Sequence, residues 1–272
     1  MNEDRNLALF CDFENIALGV RDVRYTKFDI GPVLERLLLK GSIVTKKAYC
    51  DWDRYKQFKK GMHEAAFELI EIPHVKMSGK NSADIRMVVD ALDLCYSKEH
   101  IDTFVIISGD SDFSPLVSKL RENAKTVIGV GVKGSTSDLL ISNCDEFMFY
   151  DDLVPGSESD EAGSGTKKKS KKRGKRSKKK PSVKKSDPAQ EAIDLVIETT
   201  EALYAERGDK AKLWGSMIKQ TLKRRRPGFN ESVYGFSSFS DLLEEAAKRK
   251  QLDLERDEKS GGYIVLGIRD AA

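Results

Sequence analysis

Phe104-Val-Ile-Ile-Ser-Gly-Asp110-Ser-Asp112-Phe113 is an apolar strand that runs directly into acid. The β-branched stretch Thr103–Ile107 stops at Ser108-Gly109, two aspartates follow with one residue between them, and a helix is expected from Ser114-Pro115. Carboxylates this close repel and raise one another's pKa unless something positive stands among them. The first expected strand, Leu7–Cys11, repeats the pattern, ending in Asp12-Phe-Glu14-Asn15. Two hydrophobic strands that both end in acid point to one shared site for a divalent cation.

Working outward, strands alternate with helices over the first half. Strands are expected at Ser42–Cys50, Phe67–Ile72, Thr126–Val132 and Glu146–Tyr150. Helices are expected at Phe28–Leu39, Asp53–Ala66 (opened by an acidic cap), Ala83–Ser97, Ser114–Asn123 and Ser137–Asn143. This alternation predicts an α/β fold, a mostly parallel sheet with helices on both faces. Right-handed crossovers would set the first and fourth strands side by side, in an order such as 3-2-1-4-5. Ligands of such sheets bind beyond the carboxyl ends of the strands, where the order reverses. Asp12 and Asp110 would then be neighbours, with Asp112 one turn further on and Asp84 at a helix start facing the same crevice. Four aspartates around one hollow suit Mg²⁺ or Mn²⁺, which take carboxylates and water. Plainer roles stand beside this one. Asp112 could cap the following helix, Asp84 could be a first-turn acid, Asp12 could form a turn, and Asn15 could close an Asx turn. Asp90 and Asp93 fall mid-helix, where a solvated face is the default.

The chain has 272 residues and a net charge of +3, which hides an asymmetry. Residues 1–153 hold 20 Lys/Arg against 25 Asp/Glu, net −5; residues 154–186 hold 13 against 3, net +10; residues 187–272 hold 14 against 16, net −2. The basic middle, including Thr166-Lys-Lys-Lys-Ser-Lys-Lys-Arg, almost lacks large apolar residues and is expected to be a disordered, self-repelling tether. Its cations would bind phosphate backbones without sequence preference, serve solubility, or act as a nuclear-localisation signal. The expected organisation is a first domain at 1–153, a linker at 154–187 and a second domain at 188–272. The second reads as a winged-helix-like α+β module, with helices at Gln190–Glu206, Lys212–Arg224 and Ser238–Lys250 and a ribbon of Leu252–Arg256 and Tyr263–Leu266.

No apolar run approaches the roughly 20 residues of a membrane span. The charged Met1-Asn-Glu-Asp-Arg5 does not read as a signal peptide. Cys11, Cys50, Cys95 and Cys144 lie in apolar segments without a CxxC pair, so buried free thiols in a reducing, cytoplasmic setting are expected. His63, His74 and His100 stand near no convincing nucleophile, which leaves Ser-His-Asp catalysis without support.

The motifs Asp12-Phe-Glu-Asn15, Ser82-Ala-Asp84 and Ser108-Gly-Asp-Ser-Asp-Phe113 resemble the NYN domain of the PIN-like nuclease superfamily, in its LabA-like branch, over roughly residues 5–150. The resemblance implies a metal-dependent ribonuclease fold. It makes Asp12, Asp84, Asp110 and Asp112 the metal-binding and catalytic set, with Asn15 and Ser108 supporting. It also sets Lys80 where it would meet phosphate, and Asp145 near the last acidic position that some PIN-like domains use. Leu213-Trp-Gly-Ser216, Leu222-Lys-Arg-Arg-Arg-Pro227-Gly-Phe229 and Phe236-Ser-Ser-Phe239-Ser-Asp-Leu-Leu243 resemble the LOTUS (OST-HTH) domain, a winged-helix-like family associated with RNA. Lys219, Lys223, Arg224, Arg225 and Arg226 would form its basic, RNA-binding end, with Tyr234 and Phe236 nearby for stacking. A solvated helix end and core packing are the structural alternatives for these residues. Not all NYN proteins are demonstrated nucleases, so two rivals stay open: a silent RNA-binding regulator, and an adaptor whose second domain docks a protein partner.

Overall fold

The structure, a computed structural model, describes residues 5–22, 28–72, 82–154, 187–208, 212–257 and 260–269. These residues fall into two compact units: residues 5–154 with Ser216–Asn230, and residues 187–215 with 231–269. Among them no helix is long and apolar enough to cross a membrane.

The first unit is built on six parallel strands in the order β3-β2-β1-β4-β5-β6: β1 (Arg5–Asp12), β2 (Gly41–Cys50), β3 (Glu68–Glu71), β4 (Thr103–Ile107), β5 (Thr126–Gly131) and β6 (Glu146–Phe149). The expected reversal at β1 and β4 is present, with Cys11 opposite Ile107. Central strands of a parallel sheet are covered on both faces and so read as continuous apolar runs. Leu7, Leu9 and Cys11 enter one core with Val105 and Ile107, while Ala8 and Phe10 enter the other with Phe104 and Ile106. All four cysteines are buried and free.

The helices α2 (Gly31–Leu38), α3 (Lys56–Glu64), α4 (Ser82–Ser97), α5 (Ser114–Glu122) and α6 (Asp138–Asn143) follow the expected alternation. Two begin later than the sequence suggested. Pro32 opens α2, because its fixed φ and missing N–H suit a first turn; Phe28 and Ile30 are buried ahead of it. Asp53 does not cap α3. A turn over Trp52–Tyr55 intervenes, pinned by the buried Trp52, whose Nε1 donates to Ile70 O at 3.2 Å and whose N donates to Glu71 Oε1 at 2.9 Å. One helix was not anticipated: α1, Phe13–Asp22, starts immediately after β1 and buries Phe13, Ile16 and Val20.

The second unit contains α7 (Pro188–Arg207), α9 (Phe239–Lys248) and an antiparallel sheet in the order β7-β9-β8: β7 (Leu213–Trp214), β8 (Leu252–Arg256) and β9 (Tyr263–Ile268). The sheet has one strand more than the expected ribbon. β7 is two residues long and too short for an alternating pattern to register. Helix α8 runs Gly215–Arg225.

Candidate functional site

Three elements deliver acid to one cleft at the carboxyl edge of the sheet. Asp12 ends β1, Asp110 follows β4, and Asp84 lies in the first turn of α4. All three line a hollow of about 470 Å³ with Glu14, Asn15, Tyr49, Asp51 and Arg54. Asp112 does not line it. Its side chain is exposed on the single 3-10 turn Ser111–Phe113 that precedes α5.

The β1 and β4 ends are tied together by side chains. Ser108 Oγ donates to Asp12 Oδ2 at 3.0 Å, and Asn15 N donates to Asp12 Oδ1 at 3.3 Å. Asn15 Oδ1 in turn accepts from Gly109 N at 2.8 Å, so Asn15 bridges the two strand ends. Asp110 N donates to Ser108 Oγ at 3.2 Å. Asp110 Oδ1 accepts from Asp112 N at 3.0 Å, which makes Asp110 the cap of the turn and leaves Asp112 as a first-turn acid. Gly109 is required by close approach: a Cβ there would stand 2.8 Å from Ser135 O.

Electrostatics follow from this crowding. Asp12 is only 8% exposed. Burial, with the Asp84 carboxylate next and Asp110 adding, pushes it up to about 7, against the hydrogen bonds from Asn15 and Ser108 that favour its charge. Asp84 is also raised, by burial and then by Asp110, Asp112 and Glu14. Among the described residues no group of three or more Asp, Glu, His or Cys side chains stands close enough together to hold a metal ion. The acids instead ring an open cleft.

The NYN domain model matches residues 6–152, just over half of the chain. The chain belongs to the NYN domain family. That family points to the PIN-like nuclease superfamily, and the six-stranded parallel sheet agrees with it. A crystal structure of a protein of unknown function from Vibrio parahaemolyticus is similar, at 26% identity, covering 56% of this chain and 96% of that one, with a TM-score of 0.49. No curated protein matches the chain.

The remaining candidates separate clearly. Asp145 is spent at the opposite edge of the sheet, where Oδ2 accepts from Val127 N at 2.8 Å and Oδ1 lies 3.1 Å from Arg121 Nε. Asp90 is not a solvated helix acid. Tyr49 OH donates to it at 2.9 Å, Arg86 Nε donates at 3.0 Å and Lys47 Nζ lies at 3.6 Å. Asp93 is exposed. Lys80 and the tether at 155–186 lie outside the described residues. On α8, Lys219 and Lys223 are half-buried, while Arg224, Arg225 and the following Arg226 are exposed. Glu14, Tyr49, Asp51 and Arg54 were not singled out from sequence. Asp51 had a usable signal, since it directly follows β2, much as Asp12 ends β1.

Proposed function

We propose that the chain is a metal-dependent ribonuclease that hydrolyses RNA phosphodiester bonds at its aspartate-lined cleft, with RNA gathered by the basic tether and a C-terminal LOTUS-like module. The observation that carries this reading is the meeting of Asp12, Asp84 and Asp110 at the strand-order reversal of an NYN fold. Their hard oxygens suit Mg²⁺ or Mn²⁺, and Mg²⁺ usually keeps several waters and takes only one or two protein carboxylates. Such an ion supplies an activated water and neutralises charge developing on phosphate. Ser108 and Asn15 fix both oxygens of Asp12, and Ser108 also fixes the backbone that carries Asp110. Asp112 and Lys80 would contribute from outside the hollow.

For the C-terminal part, the motifs at Leu213, Leu222 and Phe236 and the exposed Arg224–Arg226 support RNA binding. The silent-regulator reading shares the RNA contacts and lacks cleavage. A metal-titrated assay on single-stranded and structured RNA separates the two, with Asp110→Asn as the control. Cleavage by wild type in Mg²⁺ or Mn²⁺, lost in the variant, supports the enzyme. RNA binding with no metal-dependent cleavage under any of these conditions supports the regulator.

A further inference from the structure

Among the described residues lining the cleft that holds Asp12, Glu14, Asp51, Asp84 and Asp110, Arg54 is the one cation. Its backbone is fixed. Arg54 N donates to Asp51 O at 3.1 Å, in the turn pinned by the buried Trp52. The Phe13 and Trp52 rings pack at 4.9 Å between centroids, which couples the segments carrying Glu14 and Arg54. Arg54 Nη1 donates to Glu14 Oε1 at 3.2 Å, and Tyr55 OH reaches the same oxygen at 3.4 Å. The Arg54 side chain is 52% exposed, and its other N–H groups have no partner among the described residues.

An exposed ion pair of this kind adds little stability, so holding the fold together does not account for it. The cleft has a separate electrostatic requirement. Under the nuclease reading it must admit a polyanion past five carboxylates, and a metal ion at the acids neutralises only the phosphate under attack. The next phosphate along the strand needs its own cation. A guanidinium presents a planar fork that matches phosphate with two parallel hydrogen bonds.

We propose that Arg54 grips an RNA phosphate adjacent to the scissile one, and that Glu14 is a positioning residue that aims the guanidinium and competes with that phosphate. This rests on the nuclease reading for its choice of ligand. Arg54 then sets how RNA is seated, while the acids set how fast it is cut.

The test uses the full chain with a fluorescein-labelled single-stranded oligoribonucleotide. Cleavage kinetics give KM and kcat. Equilibrium binding across a salt series is measured in an Asp110→Asn background, so that it does not depend on turnover. Arg54→Met should raise KM and Kd about tenfold, as expected for a lost hydrogen bond to a charged group, with kcat changed by about twofold or less. It should flatten the slope of log affinity against log salt by about 0.7, the share of one phosphate on a single strand. Arg54→Lys should restore the slope and only part of the affinity. Glu14→Gln should tighten binding about two- to threefold, opposite in sign to Arg54→Met and consistent with release of one weak ion pair. If Arg54→Met lowers the melting temperature but leaves Kd and slope unchanged, Arg54 only neutralises its acidic neighbours and the inference falls. Loss of binding in Arg54→Met when wild type cleaves no RNA in any metal would sink the nuclease reading and leave the grip standing.

Discussion

Ser108 Oγ lies 3.0 Å from Asp12 Oδ2, joining residues 96 positions apart in the chain. With the Gly109 N–Asn15 Oδ1 bond it joins the two acid-bearing strand ends, and it favours the charged form of Asp12 against burial. A buried carboxylate that accepts a hydroxyl proton keeps more of its charge than one that does not. Ser108 also accepts from Asp110 N, so one hydroxyl favours the charged form of one aspartate and holds the backbone of another.

Ser108→Ala should therefore act on both. Asp12 loses a donor and should titrate still higher. A hydrogen bond to a charged group is worth about 1.5–3 kcal/mol, and the variant should lose stability of that order when Asp12 is ionised. Cleavage should fall, and its pH profile should move to higher pH. Thermal melting at two pH values and a pH–rate series check this; an unchanged profile would remove Ser108 from the site.

Asp110→Asn keeps an oxygen to accept from Asp112 N while deleting one charge beside Asp12 and Asp84. Cleavage should be lost with the fold intact. The metal-free melting temperature should hold or rise, because repulsion is relieved. Millimolar Mn²⁺ should raise the melting temperature of wild type by mass action, and far less that of an Asp12→Ala/Asp110→Ala variant. Equal shifts in both would argue against a specific site.

The pH dependence of stability has a definite sign. Asp12 sits near 3.8 in the unfolded chain and about 7 in the fold. Between those values the native state holds a proton that the unfolded state releases, so this group's stabilisation is full below the lower value and is lost as pH rises to the upper one. At about 1.4 kcal/mol per unit the change is on the order of 4 kcal/mol. Asp84 pushes the same way. Metal-free wild type should thus melt higher at pH 5 than at pH 7.5, and Asp12→Asn should flatten that difference. A melting temperature that climbs with pH in wild type would contradict the burial of Asp12.

Gly109→Ala tests the loop that carries the acids. The new Cβ would meet Ser135 O at 2.8 Å and Thr136 Cα at 3.1 Å, both backbone atoms that cannot rotate away. Overpacking of this kind costs about 1–3 kcal/mol. It should also displace Ser108 and Asp110 relative to Asp12, so that activity drops more than stability does. Melting and single-turnover cleavage together would show it.

The tether holds 13 Lys/Arg between residues 167 and 185. Replacing it with a neutral Gly/Ser linker should flatten the salt dependence of RNA affinity, since each phosphate contact on a single strand contributes a slope of about −0.7. The ranking of different RNAs should stay as it was. Binding measured across a salt series would expose a tether that reads sequence, because the ranking would then change.

The sequence by itself determined the α/β alternation, the parallel sheet and the two strands that end in acid. Continuous apolar runs such as Leu7–Cys11 and Thr103–Ile107 require burial on both faces, and that requirement needs no knowledge of neighbours. Helix α1 escaped because its first turn overlaps the Asp12–Asn15 motif, where a loop after the strand was the simpler expectation. The tertiary structure decided which acids share a cleft. Asp12, Asp84 and Asp110 meet, Asp112 stays exposed on the turn beside them with its charge felt at Asp84, Asp90 is locked by Tyr49 and Arg86, and Asp145 serves the opposite edge. Arg54 entered the cleft through a turn that Trp52 pins from the core. A carboxylate's role depends on the few ångströms around it, and those neighbours come from strand order and side-chain hydrogen bonds that span up to 96 residues, a separation that local sequence patterns do not encode.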